Sequence, residues 1–179
     1  MKIHIFGASA SGVTTLGNKL SEKLQMPYFD SDSFFWLDSE IPFSERRNLE
    51  IRNKMIADEL EKKKDFILGG SIIHWGENVF PEFDLIVFLY LPPEIRMQRL
   101  IAREIDRYGE DIFENPKTKE KSKKFIEWAE DYDNDTGIAE RTLKAHKEWL
   151  SMKKDVQILE IEGDVELPEK INLILERLK

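Results

Sequence analysis

Gly7-Ala8-Ser9-Ala10-Ser11-Gly12-Val13-Thr14-Thr15 follows the short apolar run Lys2 to Phe6. The spacing is that of G-x-x-x-x-G-K-[ST], a loop whose backbone amides cradle phosphate. Gly7 and Gly12 let the chain turn tightly and bring N–H groups close to anionic oxygens. A helix starting here would point its positive end at the same anion. Ser9 and Ser11 add small donors, and Thr14 stands where a hydroxyl would ligate Mg²⁺. One member of the pattern is absent: Val13 replaces the lysine that normally reaches the outer phosphates as a point charge. The segment 7 to 15 is therefore expected to bind the phosphates of a nucleotide through backbone donors. The missing ammonium bears more on chemistry than on binding.

Other candidates surround this loop. Asp30 and Asp32 flank one residue at the end of the next apolar stretch. On an extended segment both carboxylates would face the same side. One could hold Mg²⁺ through water and the other accept a proton from a substrate hydroxyl. Asp30 reads equally well as a turn residue; Asp32 reads as functional. Gly69-Gly70-Ser71 offers backbone N–H groups to a substrate, and Phe34, Phe35, Trp36 and Trp75 either line a pocket or fill the core. Arg96, Arg99, Arg103 and Arg107 form a stripe at about 100° per residue. Arg103 and Arg107 are expected to supply the charge that Val13 lacks, with Arg141 pointing back from a later helix. Arg96 and Arg99 could equally pair with acids. The lysines at 117, 119, 121, 123 and 124 read as a solvated face. His4 and His146 read as structural, and His74 is a weak candidate.

The elements that must position these residues alternate along the chain. Strands are expected at Lys2–Phe6, Met26–Asp30, Asp65–Leu68, Leu85–Leu91 and Val156–Ile161. Helices are expected at Thr14–Gln25, from Ser44 to about Lys63, from Pro93 to about Ile105, around Phe125 to Tyr132, at Ile138–Met152 and at Pro168–Leu178. The residues 106 to 122 between two of these read as a polar stretch. Leu85 to Leu91 is an unbroken apolar run, as a central parallel strand covered on both faces requires. Strands alternating with helices give a doubly wound parallel sheet, with ligands at the carboxyl ends of its strands. Gly7, Asp30, Gly69 and Gly70, the residues after Leu91, and Glu162 to Asp164 all leave from that edge.

Composition narrows the class. The chain has 179 residues, 41% hydrophobic and 35% charged, with a net charge of −8 and no cysteine. One domain spanning 1–179 is expected. Disulfides and thiolate metal sites are excluded, and the acidic balance speaks against nucleic-acid binding. No apolar run reaches membrane-spanning length and no cleavage site follows the first strand, so a cytoplasmic protein with no membrane partner is expected. Oligomeric state is not readable from these residues.

The residues GASASGVTT, FDSD, ILGGS and LYLPPEIRMQRLIARE, in that order, resemble the small P-loop kinases of metabolites and nucleotides, the adenylate kinase and shikimate kinase group. The resemblance extends over nearly the whole chain. It is closer to adenylate kinase-like proteins whose loop reads GASGSGTTT and also lacks the lysine; Ala10 and Val13 replace a glycine and a threonine of that variant. The resemblance implies a three-layer P-loop NTPase fold, a five-stranded parallel sheet flanked by helices with a helical lid at about 104–136. It implies ATP as donor, Mg²⁺ near Thr14 and Asp30, and a small acceptor near Asp30, Asp32, Gly69 and Gly70. Adenine would pack near Glu162 to Val165. An acceptor-binding arginine would fall among Arg46, Arg47 and Arg52.

Two function classes remain open from the sequence: a phosphotransferase acting on a nucleoside monophosphate or other small acceptor, or a nucleotide-binding module without transfer. A sulfotransferase-like reading of Ser11 to Thr15 lacks the basic residue such loops carry before the glycine turn. No N-K-x-D signature for guanine follows the later strands.

Overall fold

The computed structural model describes residues 1–39, 42–76 and 78–179. Five parallel strands, β1 (Lys2–Gly7), β2 (Tyr28–Asp30), β3 (Phe66–Gly69), β4 (Leu85–Tyr90) and β5 (Gln157–Glu162), form one sheet in the order β2-β3-β1-β4-β5. Register is set at the centre, where Ile5 pairs with Gly69 on one side and Val87 on the other. Parallel neighbours need crossovers, and the helices among the described residues supply them. They are α1 (Val13–Leu24), α2 (Ser31–Phe35), α3 (Leu49–Glu61), α4 (Pro93–Tyr108), α5 (Asp111–Glu114), α6 (Pro116–Asn134), α7 (Leu143–Ser151) and α8 (Leu167–Arg177).

The two faces of β1 explain the layers. Ile3 and Ile5 point to one side, where Leu16 and Leu20 of α1 and Ile171 and Ile174 of α8 cover them. His4 and Phe6 point to the other, where Phe6 meets Phe88, and Leu150 of α7. The outer part of that face holds Ile56 and Leu60 of α3 against Phe66 and Leu68 of β3. The expected three-layer sandwich with a five-stranded parallel sheet is what the chain forms. Among the described residues no helix is long and apolar enough to cross a membrane.

Several local expectations are corrected. Ser44 does not cap α3: Asn48 does, its side chain accepting from the amides of Glu50 and Ile51. The residues 106 to 122 are not an irregular polar stretch: they contain the end of α4, all of α5 and the start of α6, whose first turn Asn115 caps. Within α6 the lysines form helical ion pairs, Lys124 with Glu120 at 2.7 Å and Lys123 with Glu127 at 3.8 Å, as a solvated face does. The helix expected from Ile138 begins only at Leu143, because Asp131 holds the preceding turn open. Its carboxylate accepts from the amides of Thr136, Ile138 and Ala139.

Candidate functional site

The glycine loop joins β1 to α1 at the carboxyl edge of the sheet. Gly7 is required by crowding: a Cβ there would strike the Leu89 carbonyl and the Ser11 hydroxyl. Gly12 caps α1 in the left-handed region at φ 95°. Ala10 is also left-handed, at φ 67°, where an L side chain is disfavoured. Ser11 closes the turn by donating its amide to the Ala8 carbonyl at 3.1 Å. Its hydroxyl is buried without a hydrogen-bond partner among the described residues. Thr14 and Thr15 are exposed, whereas Val13 packs partly buried against the core beneath α1. The position that lacks the lysine thus faces the apolar interior.

Asp30 and Asp32 do not lie on one extended segment, contrary to the expectation from spacing. Asp30 ends β2 and caps α2, a short helix with no apolar period to announce it; Asp32 lies in that helix's first turn. Asp30 Oδ1 accepts from the Asp32 amide at 3.0 Å, while Asp30 Oδ2 accepts from Thr14 Oγ1 at 3.1 Å and from the Tyr28 hydroxyl at 3.2 Å. Asp32 keeps an open side toward solvent. Desolvation by the neighbouring protein groups nevertheless pushes its carboxyl pKa up, and the Asp30 charge adds to that shift. The positive charges of Arg141 and Arg103 oppose the shift.

The arginine stripe of α4 divides by depth. Arg96 is fully buried, its Nη2 donating to Asp133 Oδ2 at 2.6 Å and to the Ala129 carbonyl at 2.8 Å, so it is a strut between α4 and α6. Arg99 pairs with Asp164 at 2.7 Å. Arg103 lies within electrostatic reach of Asp32, whose charge acts on its guanidinium, as do those of Arg107 and Glu104. Arg107 donates to Glu104 at 3.1 Å, and its guanidinium lies 4.8 Å from the centre of the Phe43 ring.

A cluster of arginines gathers around Phe35. The guanidinium groups of Arg141, Arg52 and Arg46 lie 5.0, 5.4 and 5.6 Å from its ring centre. Arg52 also lies 3.8 Å over the Trp75 ring and is 5% exposed. Arg47 is a structural clasp instead, donating to the carbonyls of Phe34 and Trp36. Sequence spacing could not separate these three arginines because the separation depends on where α3 starts. Gly69 and Gly70 are needed for space: a Cβ on either would enter the Tyr28 hydroxyl or the Ser31 hydroxyl. The Gly70 amide is not free for a substrate, since it donates to the Ile5 carbonyl at 3.0 Å. His4 is held by the Leu68 carbonyl in the core, and His146 by Ser71 and Tyr132, so both are internal, as expected.

No family model matches the chain. Comparison with known proteins finds a protein of Bacillus subtilis (strain 168), YqaC, itself described as uncharacterized, 38% identical over 176 residues, covering 98% of this chain and 96% of its own. A shikimate kinase of Blochmanniella floridana is 31% identical over 104 residues, 49% of this chain and 53% of that protein. Among solved structures, a deoxyadenosine kinase from M. mycoides with bound dATP superposes with a TM-score of 0.58 at 13% identity, covering 99% of each chain. With its loop, its sheet order and these likenesses together, the chain belongs to the same family as YqaC and has the fold of the P-loop small-molecule and nucleoside monophosphate kinases, in a variant without the loop lysine.

Proposed function

We propose that the protein is an ATP-dependent phosphotransferase that moves the γ-phosphoryl group to a small acceptor carrying a hydroxyl and an anionic group. The observation that supports this reading is Asp32, in the first turn of the helix after β2 and within electrostatic reach of Arg103 and Arg141. A simple nucleotide binder needs no carboxylate there.

In this reading residues 7 to 15 hold the donor phosphates through backbone amides and the α1 dipole. Thr14 and Asp30, two oxygen donors 3.1 Å apart, fit a hard cation and would hold Mg²⁺. The ion would neutralise charge on the β- and γ-phosphates. Arg46, Arg52 and Arg141 grip the acceptor's anionic group against Phe35. Asp32 takes the acceptor's hydroxyl proton. The acceptor oxygen bonds to the γ-phosphorus as the bond to the β–γ bridging oxygen breaks, and ADP departs. Arg103, at the entry to a lid of about 104–136, and Arg107 within it stabilise the charge on the transferring group in place of the lysine. Arg107 must leave Phe43 to do so. Adenine packs beside Glu162 to Val165. A nucleoside monophosphate meets the acceptor description, and so does a hydroxylated carboxylate.

One observation favours a second reading, a nucleotide-binding module without transfer: Val13 is committed to the core, leaving the loop without a cation of its own. Incubation with Mg²⁺-ATP and a panel of nucleoside monophosphates and hydroxylated carboxylates separates the two. ADP release that depends on one acceptor supports the transferase. ATP binding with no acceptor-dependent ADP supports the module.

A further inference from the structure

A polar chain crosses the core from α6 to the carboxyl end of β3. The Tyr132 hydroxyl lies 2.9 Å from His146 Nδ1, and His146 Nε2 lies 2.9 Å from Ser71 Oγ. Tyr132, His146 and Ser71 are 3%, 1% and 9% exposed. Burial lowers the His146 pKa to about 3, and Arg141, His4 and His74 act in the same direction. The ring is therefore neutral near pH 7, with one nitrogen donating and the other accepting.

The direction of the chain follows from its buried end. Among the described residues the Tyr132 hydroxyl has one hydrogen-bond partner, Nδ1. A buried hydroxyl proton needs an acceptor. Of the two hydroxyls at the ends of the chain Tyr132 is the more enclosed, 3% exposed against 9% for Ser71, so Tyr132 is assigned the donor role and Nδ1 accepts. Nε2 then carries the ring proton and donates to Ser71 Oγ. The proton of Ser71 itself is left uncommitted, since no other hydrogen bond holds that side chain among the described residues. Ser71 directly follows Gly70 at the carboxyl edge of β3.

We propose that Ser71 is a specificity-determining residue whose hydroxyl, oriented by Tyr132 and His146, donates a hydrogen bond to an oxygen of the acceptor. The identity of the recipient rests on the kinase reading above; the direction of the chain does not. His146 and Tyr132 are positioning residues.

Two measurements test it. Nitrogen-15 NMR of the histidine rings in the free protein, assigned with His4→Gln and His74→Gln, is expected to show His146 protonated at Nε2 and bare at Nδ1. A ring protonated at Nδ1 overturns the proposal. With the acceptor found by turnover, Ser71→Ala is expected to raise the acceptor KM about fivefold to tenfold, the loss of one hydrogen bond, with kcat and the ATP KM within about twofold. A lower melting temperature with an unchanged acceptor KM also overturns it. A protein that turns over no acceptor yet shows the Nε2-protonated ring refutes the kinase reading and keeps the oriented donor.

Discussion

Ala10 sits at φ 67°, where a glycine would be unstrained. Ala10→Gly is expected to stabilise the protein by about 0.5–1 kcal/mol in urea unfolding, the relief of left-handed strain less the entropy that glycine adds to the unfolded chain. No change or a loss would mean the loop relaxes by another route. Asp32 carries a larger consequence. Asp32→Asn is expected to lower kcat about 10²- to 10⁴-fold, the span of general-base contributions, with ATP affinity preserved. The Asp32 pKa is raised by its enclosure and by Asp30, so the folded protein holds this proton more tightly than the unfolded chain. Activity should then fall with decreasing pH above the ordinary carboxylate range, because the base is lost by protonation. Stability has the opposite sign: Asp32 costs stability once pH rises through its unfolded value, and Asp32→Asn should raise the melting temperature at pH 7. A lower melting temperature would contradict this. Asp32 could be nominated from the sequence by its type and its place after a strand. Its geometry could not be read there, because a single side-chain cap by Asp30 converts the extended segment into α2.

At the scale of elements, α4 shows what spacing reveals and what it hides. Period 3.6 put four arginines on a stripe, but only the packing of α6 decides that Arg96 is inside and Arg103 outside. Arg96 and Asp133 form a buried pair with Arg96 Nε and Nη1 and Asp133 Oδ1 left without partners among the described residues. Arg96→Ala is expected to cost about 3–5 kcal/mol in urea unfolding, because it strands the Asp133 charge. Arg96→Leu combined with Asp133→Leu should cost less than Arg96→Ala alone. A double variant that is worse would mean the pair is net stabilising. The start of α3 was misplaced for a related reason: Ser44 and Asn48 are both capping types, and only the tertiary clasp of Arg47 on Phe34 and Trp36 fixes the later start. Arg52 owes its seat over Trp75 to that start, which is why no sequence pattern singled it out.

The whole molecule was the most legible level. Apolar runs alternating with helical periods dictate a parallel sheet, and a parallel sheet gathers its loops at one edge. Strand order and loop position alone therefore bring the glycine loop, Asp32 and Gly70 together. The Tyr132–His146–Ser71 chain is invisible at that level, since its members lie on α6, α7 and the end of β3 and meet only after the layers close. The central claim is that arginines across the cleft supply the charge that the loop lacks. Steady-state turnover of the wild type, Val13→Lys, Arg103→Ala and the double variant tests it most directly. Arg103→Ala should lower kcat about 10²- to 10³-fold with ATP affinity nearly unchanged. Val13→Lys should change wild-type kcat less than about threefold and restore part of the loss in the Arg103→Ala background. A gain of about a hundredfold from Val13→Lys in the wild type, with Arg103→Ala silent, would show that the site has no substitute for the lysine and would contradict that claim.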